Sequence, residues 1–167
     1  MLHYLNGLAG LKNEAELLLV TTETGCFEKA NRFKRKFDDQ DSPLKITIKS
    51  IMRPRRVKQS WLTTPFTTLE SFYHCFNATL EFNPDLILTT GPGIAVPFTF
   101  SAKILNLLVK PLIKHKKTKV CFVESFCRTE SISLSAKILY YFADALVSPW
   151  ADLSYEFGRF KYVGEIM

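Results

Sequence analysis

The segment from Val120 to Trp150, VCFVESFCRTESISLSAKILYYFADALVSPW, constrains what this chain can fold into more than any other. An apolar run stops at Glu124, polar residues fill the connection, a helical period runs from Ser131 to Ala143, and a second apolar run starts at Ala145. Two strands joined through a helix lie parallel, because the crossover returns the chain to the edge from which it left. The same order appears upstream, where the strand around Leu86-Ile87-Leu88 runs into Gly91-Pro92-Gly93 and a helix from about Val96 to Leu108. Pro97 is compatible with that helix only in its first turn, where its missing N–H would be unpaired anyway. In an open α/β sheet, ligands bind outside the carboxyl ends of the strands. The turns at Thr89–Gly93 and Glu124–Arg128 are therefore expected to line one shared cleft.

The rest of the chain continues the alternation. Ala15 to Thr22 (AELLLVTT) suits a buried strand, and Lys29 to Phe37 reads as a basic helix or turn. Ile46, Ile48 and Ile51 in KITIKSIM mark a second strand. A helix is predicted from about Thr67 to Glu81, with Phe66, Leu69, Phe72, Tyr73 and Phe76 as its core stripe. In the Ser131–Ala143 helix, Ile132, Leu134, Ile138, Leu139 and Phe142 are expected to face inward. Ala145 to Val147 is a strand, Asp152 to Phe157 a short helix, and Tyr162-Val163 a final strand or extended tail. The pattern predicts an α/β fold, a doubly wound parallel sheet in a single domain over residues 1–167. A strand and glycine-rich turn normally open such a sheet, whereas this chain opens on helix-like Met1-Leu2-His3-Tyr4-Leu5. Three explanations stand open: an N-terminally incomplete chain, which is the one expected, a strand donated by a partner, or a sheet that closes differently.

Charge narrows the partners. The net charge of +6 is concentrated in Lys29–Lys36, Arg53–Lys58 and Lys110–Lys117. Such clusters are either solvated faces or contacts for phosphate, acidic headgroups or nucleic acid. No zinc-knuckle, RRM or KH signature accompanies them, so no nucleic acid partner is expected. The four cysteines, Cys26, Cys75, Cys121 and Cys127, lack metal-ligand or CxxC spacing, and the three histidines are scattered. No metal and no cofactor is expected, and a reducing, cytosol-facing environment fits better than a disulfide framework. The most apolar stretch, Gly91 to Ile113, is broken by Lys103, Asn106 and Lys110, short of the ~20 apolar residues a spanning helix needs.

Few residues can carry chemistry. Gly91 and Gly93 let the backbone approach a phosphate or diphosphate beside a helix N-terminus, although the same triplet also makes a simple tight turn. Glu124, at the end of an apolar strand, could accept a sugar hydroxyl, act as a base or anchor the next helix. Arg128 pairs with Glu124 or clamps a phosphate. Ser131, Ser133 and Ser135 bracket the helix start, where N-capping is the expected role for at least one. Arg53 and Arg55 stand in a basic connection just past a strand end.

Several of these motifs stand in the order of one family. RPRRVKQSW, FTTLES, NPDLILTTGPGIAVP, FVESFCRTESISLSAKILYYFADALVSPWADL and the closing YVGEIM resemble the membrane-anchoring, acceptor-binding subunit of the eukaryotic UDP-N-acetylglucosamine transferase that makes dolichyl-diphospho-chitobiose. More distantly, the chain is similar to the N-terminal half of the bacterial transferase that completes the lipid-linked peptidoglycan precursor. The resemblance implies a Rossmann-like domain of the type found in the N-terminal half of GT-B glycosyltransferases. It also implies a subunit that is not catalytic alone. That subunit binds a dolichyl-diphosphate-linked sugar acceptor at the cytosolic face of the endoplasmic reticulum membrane surface and recruits a separate catalytic, UDP-GlcNAc-binding subunit. By position, Gly91, Gly93, Ser125, Arg128, Arg53 and Arg55 would bind the acceptor. Glu124 would orient the acceptor hydroxyl, and Tyr162, Val163, Gly164 and Ile166 would meet the partner. The family's N-terminal transmembrane helix and GSGGH-type turn have no counterpart in this sequence, Arg56 stands where an acidic residue is common, Ala136 where glycine is, and Glu165 where a basic residue is usual. The competing readings are a self-sufficient glycosyltransferase or phosphate-ester enzyme, and an inactive incomplete copy.

Overall fold

The computed structural model describes residues 15–21, 24–38, 44–51, 64–90, 93–112 and 116–164. They divide into two compact units, one up to Met52 and one from Arg53 onward. In the first, β1 (Ala15–Thr21) and β2 (Leu44–Ser50) pair in parallel, in register from Ala15 opposite Leu44 to Thr21 opposite Ser50. The Ile51 amide prolongs the ladder by donating to the Thr21 carbonyl at 2.9 Å. Between them α1 (Thr24–Asp38) extends well beyond the basic segment expected at Lys29–Phe37. It buries Ala30 and Phe33, three residues apart, and turns Lys29, Arg32 and Arg35 to solvent, the amphipathic division a surface helix requires. Leu19, Ile46 and Ile51 complete a small core. The exposed Glu16–Lys45 pair, 3.1 Å apart, adds little, because water screens it.

The second unit runs α2 (Thr64–Phe82), β3 (Leu86–Thr90), α3 (Ala95–Leu108), β4 (Lys119–Val123), α4 (Leu134–Leu139), β5 (Ala145–Ser148), α5 (Ala151–Glu156) and β6 (Phe160–Tyr162). Its strands are all parallel, in the order β3-β4-β5-β6. Val120, Phe122 and Val123 of β4 are all buried, as expected of a parallel strand covered on both faces. Around them pack Ala95 and Ala102 of α3, Ile132, Ala136 and Leu139, Leu146 of β5, Leu153 of α5 and Phe160 of β6. Parallel strands alternating with helices are the α/β architecture that the sequence predicts, here with the strands paired in one sheet of two and one of four.

Side chains fix the amino ends of these strands. Asn106 grips Thr118 on both sides, accepting from its amide and donating to its carbonyl at 2.8 Å each. Thr118 Oγ1 in turn donates to the Pro84 carbonyl at 2.7 Å. Asp144 accepts from the Val120 amide at 2.8 Å and holds Lys103 at 3.0 and 3.1 Å. Arg159 covers the end of α4, donating to the carbonyls of Tyr140 and Ala143 and lying over the Tyr140 ring. Those carbonyls would otherwise lack partners at a helix terminus.

Two expected core stripes are different in detail. α2 buries Ser71, Cys75, Ala78 and Thr79, while Leu69 and Tyr73 face solvent and Phe72 and Phe76 stack half-buried. The helix packs on α3 through small side chains, which allow close approach where a line of aromatic rings would not. Burial pushes the Cys75 thiol up to about 12, against the pull of its Ser71 hydrogen bond, so it stays a neutral packing group. In α4, which spans six residues, the inner face is Ser135, Ala136 and Leu139; Leu134, Ile138 and Phe142 are exposed.

Candidate functional site

The carboxyl ends of β3 and β4 carry the polar turns singled out in the sequence. Glu124 follows directly on β4 and is 2% exposed. Both of its carboxylate oxygens accept backbone N–H groups: Oε1 from Ser125 at 2.8 Å and Oε2 from Ser133 at 2.9 Å. The loop from Ser125 to Ser133 is thereby closed at its base by one side chain. Ser133 caps α4, its hydroxyl accepting from the Ala136 amide at 3.1 Å, which satisfies one of the free donors of the first turn.

The next side chain joins the two turns. The Gly93 amide donates to Ser135 Oγ at 3.2 Å, across 42 residues of sequence. Gly93 has φ of 86°, in the left-handed region that favours glycine, so a side chain at this position would strain the turn. One hydrogen bond thus joins the turn after β3 to α4, the helix that follows the loop after β4.

Arg128 does not pair with Glu124. Its backbone amide donates to the Ser125 carbonyl at 3.0 Å, and its exposed guanidinium reaches Ser131 Oγ at 3.4 Å. Ser125 is half-buried, its hydroxyl 3.4 Å from the Cys127 amide. This leaves a fork of guanidinium donors at the rim, of the kind that suits a phosphate.

Three contributors escaped the sequence reading. Trp150 Nε1 donates to the Phe126 carbonyl at 2.9 Å, and the two rings meet edge to face at 5.7 Å. Ser148, fully buried, accepts from the Trp150 amide and donates to its carbonyl, both at 3.0 Å. Together they tie the loop after β4 to the turn after β5. The available signal was the SPW triplet ending an apolar run, but nothing in the sequence indicates that Phe126 is its partner. β6 extends the same rim: Ser148 lies opposite Tyr162, and the Val163 amide donates to the Ser148 carbonyl at 3.3 Å. Tyr162 and Val163 are exposed, and Gly164 has φ of 81°. Arg53, Arg55, Gly91 and Ile166 lie outside the described residues. Among the described residues no cluster of His, Cys, Asp and Glu could hold a metal ion.

Comparison with known proteins places this chain in a family. The family model described as oligosaccharide biosynthesis protein Alg14 like matches residues 1–166. The UDP-N-acetylglucosamine transferase subunit ALG14 of Homo sapiens is 34% identical over 170 residues, spanning 100% of this chain and 76% of that protein. The subunit of the same name from Schizosaccharomyces pombe is 41% identical over 125 residues, spanning 72% of this chain and 56% of that protein. Among solved structures, Acinetobacter baumannii MurG superposes with a TM-score of 0.52 at 18% identity. That match covers 87% of this chain and 36% of the MurG chain, and it bears on the fold alone.

Proposed function

The chain belongs to the Alg14-like oligosaccharide biosynthesis family, and on that premise we propose that it is the acceptor-binding, non-catalytic subunit of a two-component UDP-N-acetylglucosamine transferase. The acceptor is a dolichyl-diphosphate carrying one N-acetylglucosamine, met at the cytosolic surface of the endoplasmic reticulum. The donor binds a separate catalytic subunit, which docks against the exposed end of β6 at Tyr162, Val163 and Gly164, with Ile166 beyond. The observation that carries the reading is the Gly93–Ser135 hydrogen bond. It joins the Gly93 turn to the start of α4, the helix preceded by the loop that displays the Arg128 guanidinium, a donor set that suits a diphosphate.

In this reading Gly91, Gly93, Ser125 and Arg128 hold the acceptor diphosphate, with Arg53 and Arg55 adding charge to the same anion. The acceptor sugar hydroxyl attacks the anomeric carbon of the donor from the face opposite UDP. A new carbon–oxygen bond forms, the bond to UDP breaks, and the hydroxyl proton passes to a base. Glu124 serves as a positioning residue: with both oxygens engaged by backbone amides, it acts through the loop it holds rather than as that base.

Co-expression with a UDP-N-acetylglucosamine-binding subunit tests the proposal. Labelled sugar should pass to lipid-diphospho-N-acetylglucosamine only when both chains are present. Arg128→Ala in the complex should raise the KM for the acceptor roughly tenfold or more, because hydrogen bonds to charged groups contribute about 1.5–3 kcal/mol. Transfer by this chain alone, or failure of the two chains to associate, would end the proposal.

A further inference from the structure

The loop from Ser125 to Ser133 displays more than the Arg128 guanidinium. Phe126 to Ser131 are exposed without interruption, while Glu124 holds the base of the loop through the Ser125 and Ser133 amides. The middle of the loop is therefore presented to solvent on a fixed stem. Ser131 stands at its far end with an exposed hydroxyl, and Ser133 rather than Ser131 caps α4. The Ser131 Oγ is instead 3.4 Å from Nη1 of Arg128, three residues earlier.

That spacing is also a recognition signal. Kinases select substrates by charge pattern, and an arginine three residues before a serine is a pattern that an acidic kinase pocket reads. Ser131 is the only serine or threonine of the sequence with an arginine or lysine at that position. Arg128 and Ser131 are both exposed, so one visiting protein can reach the two together. A phosphate on Ser131 Oγ carries a charge of about −1.5 to −2 and three strong acceptor oxygens. It would extend toward a guanidinium that already reaches that oxygen, and whose fork of donors matches a phosphate bidentately. Glu124 does not compete for the guanidinium, because it is buried with both oxygens taken by amides.

We propose that Ser131 is a phosphorylation site for a basophilic serine kinase, and that its phosphate shuts off acceptor binding by occupying Arg128. The inference rests on the reading in which Arg128 meets the acceptor diphosphate. In the modification, Ser131 Oγ attacks the terminal phosphorus of ATP. The Oγ–phosphorus bond forms, the bond from that phosphorus to the bridging oxygen breaks, ADP leaves, and the hydroxyl proton passes to a carboxylate base of the kinase. The product is a tethered anion with the chemistry of the acceptor's own diphosphate. Tethering gives it an effective concentration that a free ligand does not match. It holds the guanidinium and repels the incoming diphosphate.

The test uses the complex with the UDP-N-acetylglucosamine-binding subunit in two phosphorylated forms. One is treated with ATP and protein kinase A, and the other receives phosphoserine at position 131 during translation. Kinase treatment should place phosphate on Ser131, read by mass spectrometry of its peptides, and Ser131→Ala should abolish that signal. Both forms should raise the KM for lipid-diphospho-N-acetylglucosamine roughly tenfold or more, the size expected for losing a hydrogen bond to a charged group, with the KM for the UDP-sugar unchanged. Kinase treatment of the Ser131→Ala complex should leave its acceptor KM where it was. Phosphorus NMR gives a readout free of the acceptor. Pairing with Arg128 should pull the second pKa of the phosphate below its usual value of about 6, and Arg128→Ala should restore it. Absence of phosphate on Ser131, or a phosphoserine pKa that Arg128→Ala leaves unchanged, would overturn the inference. So would a phosphorylated complex with the parent's acceptor KM when Arg128→Ala raises it, and each of these results leaves the acceptor reading standing. An acceptor KM unmoved by both the phosphate and Arg128→Ala would overturn the placement of Arg128 on the diphosphate, and this inference with it.

Discussion

Glu124 is a charged residue in the core, and its surroundings explain how the fold tolerates it. A buried carboxylate is costly unless its oxygens are hydrogen-bonded, and here the Ser125 and Ser133 amides supply the donors. Glu124→Ala strands the buried Ser133 amide and should lower stability by about 1–3 kcal/mol, the cost of one orphaned buried donor. Glu124→Gln retains one acceptor but turns an NH2 group toward the other amide, so it should fall between Ala and the parent. Thermal unfolding of the three proteins checks the order; an Ala variant as stable as the parent would contradict the positioning role. The carboxylate itself was legible, because an acidic residue ending an apolar strand stands out. Its partners were not, since backbone amides have no signature in sequence. Ser135 was legible only as a helix-start serine, because no local pattern links it to a glycine 42 residues away.

The elements were read correctly where their period was strong. Strands β3, β4 and β5 and the start of α3 were legible from apolar runs closed by Asp, Gly or Glu, while α2 and α4 were legible as helices but not in their buried faces. The large apolar residues of α2 dominate its sequence pattern, whereas Cys75 and Ala78 make the packed stripe. The junction of β4 and β5 gives a pH prediction. Burial pushes the Asp144 carboxyl up, but the Val120 amide and the Lys103 ammonium outweigh it and hold it below the usual carboxylate range. A carboxylate whose folded value lies below its unfolded value, about 3.9 for Asp, stabilises the fold above that value. The contribution fades as pH falls through the folded value. Asp144→Asn should therefore show a shallower loss of stability than the parent between about pH 5 and the acid limit. Urea unfolding at a series of pH values measures it, and parallel curves for the two proteins would refute the linkage.

At the scale of the molecule the two units have unequal cores. A pair of strands is marginal alone, and among its described residues the first unit adds one helix and a handful of buried side chains to β1 and β2. The four-stranded unit has buried residues on β4, β5, β6 and the helices around them. Amides of Lys119–Val123 and Ala145–Ser148 should exchange with deuterium more slowly than those of Ala15–Thr21 and Leu44–Ser50, because local opening follows buried apolar contact. Native-state hydrogen exchange reads this directly, and equal protection would show the two units opening together. The grip of Asn106 on Thr118 also bears on how such a protein can change over generations. It closes residues 107–117 at their neck, so substitutions and length changes beyond it do not reach the register of β4. The sequence between Asn106 and Thr118 is thus free to drift among descendants while β4 keeps its pairing with β3.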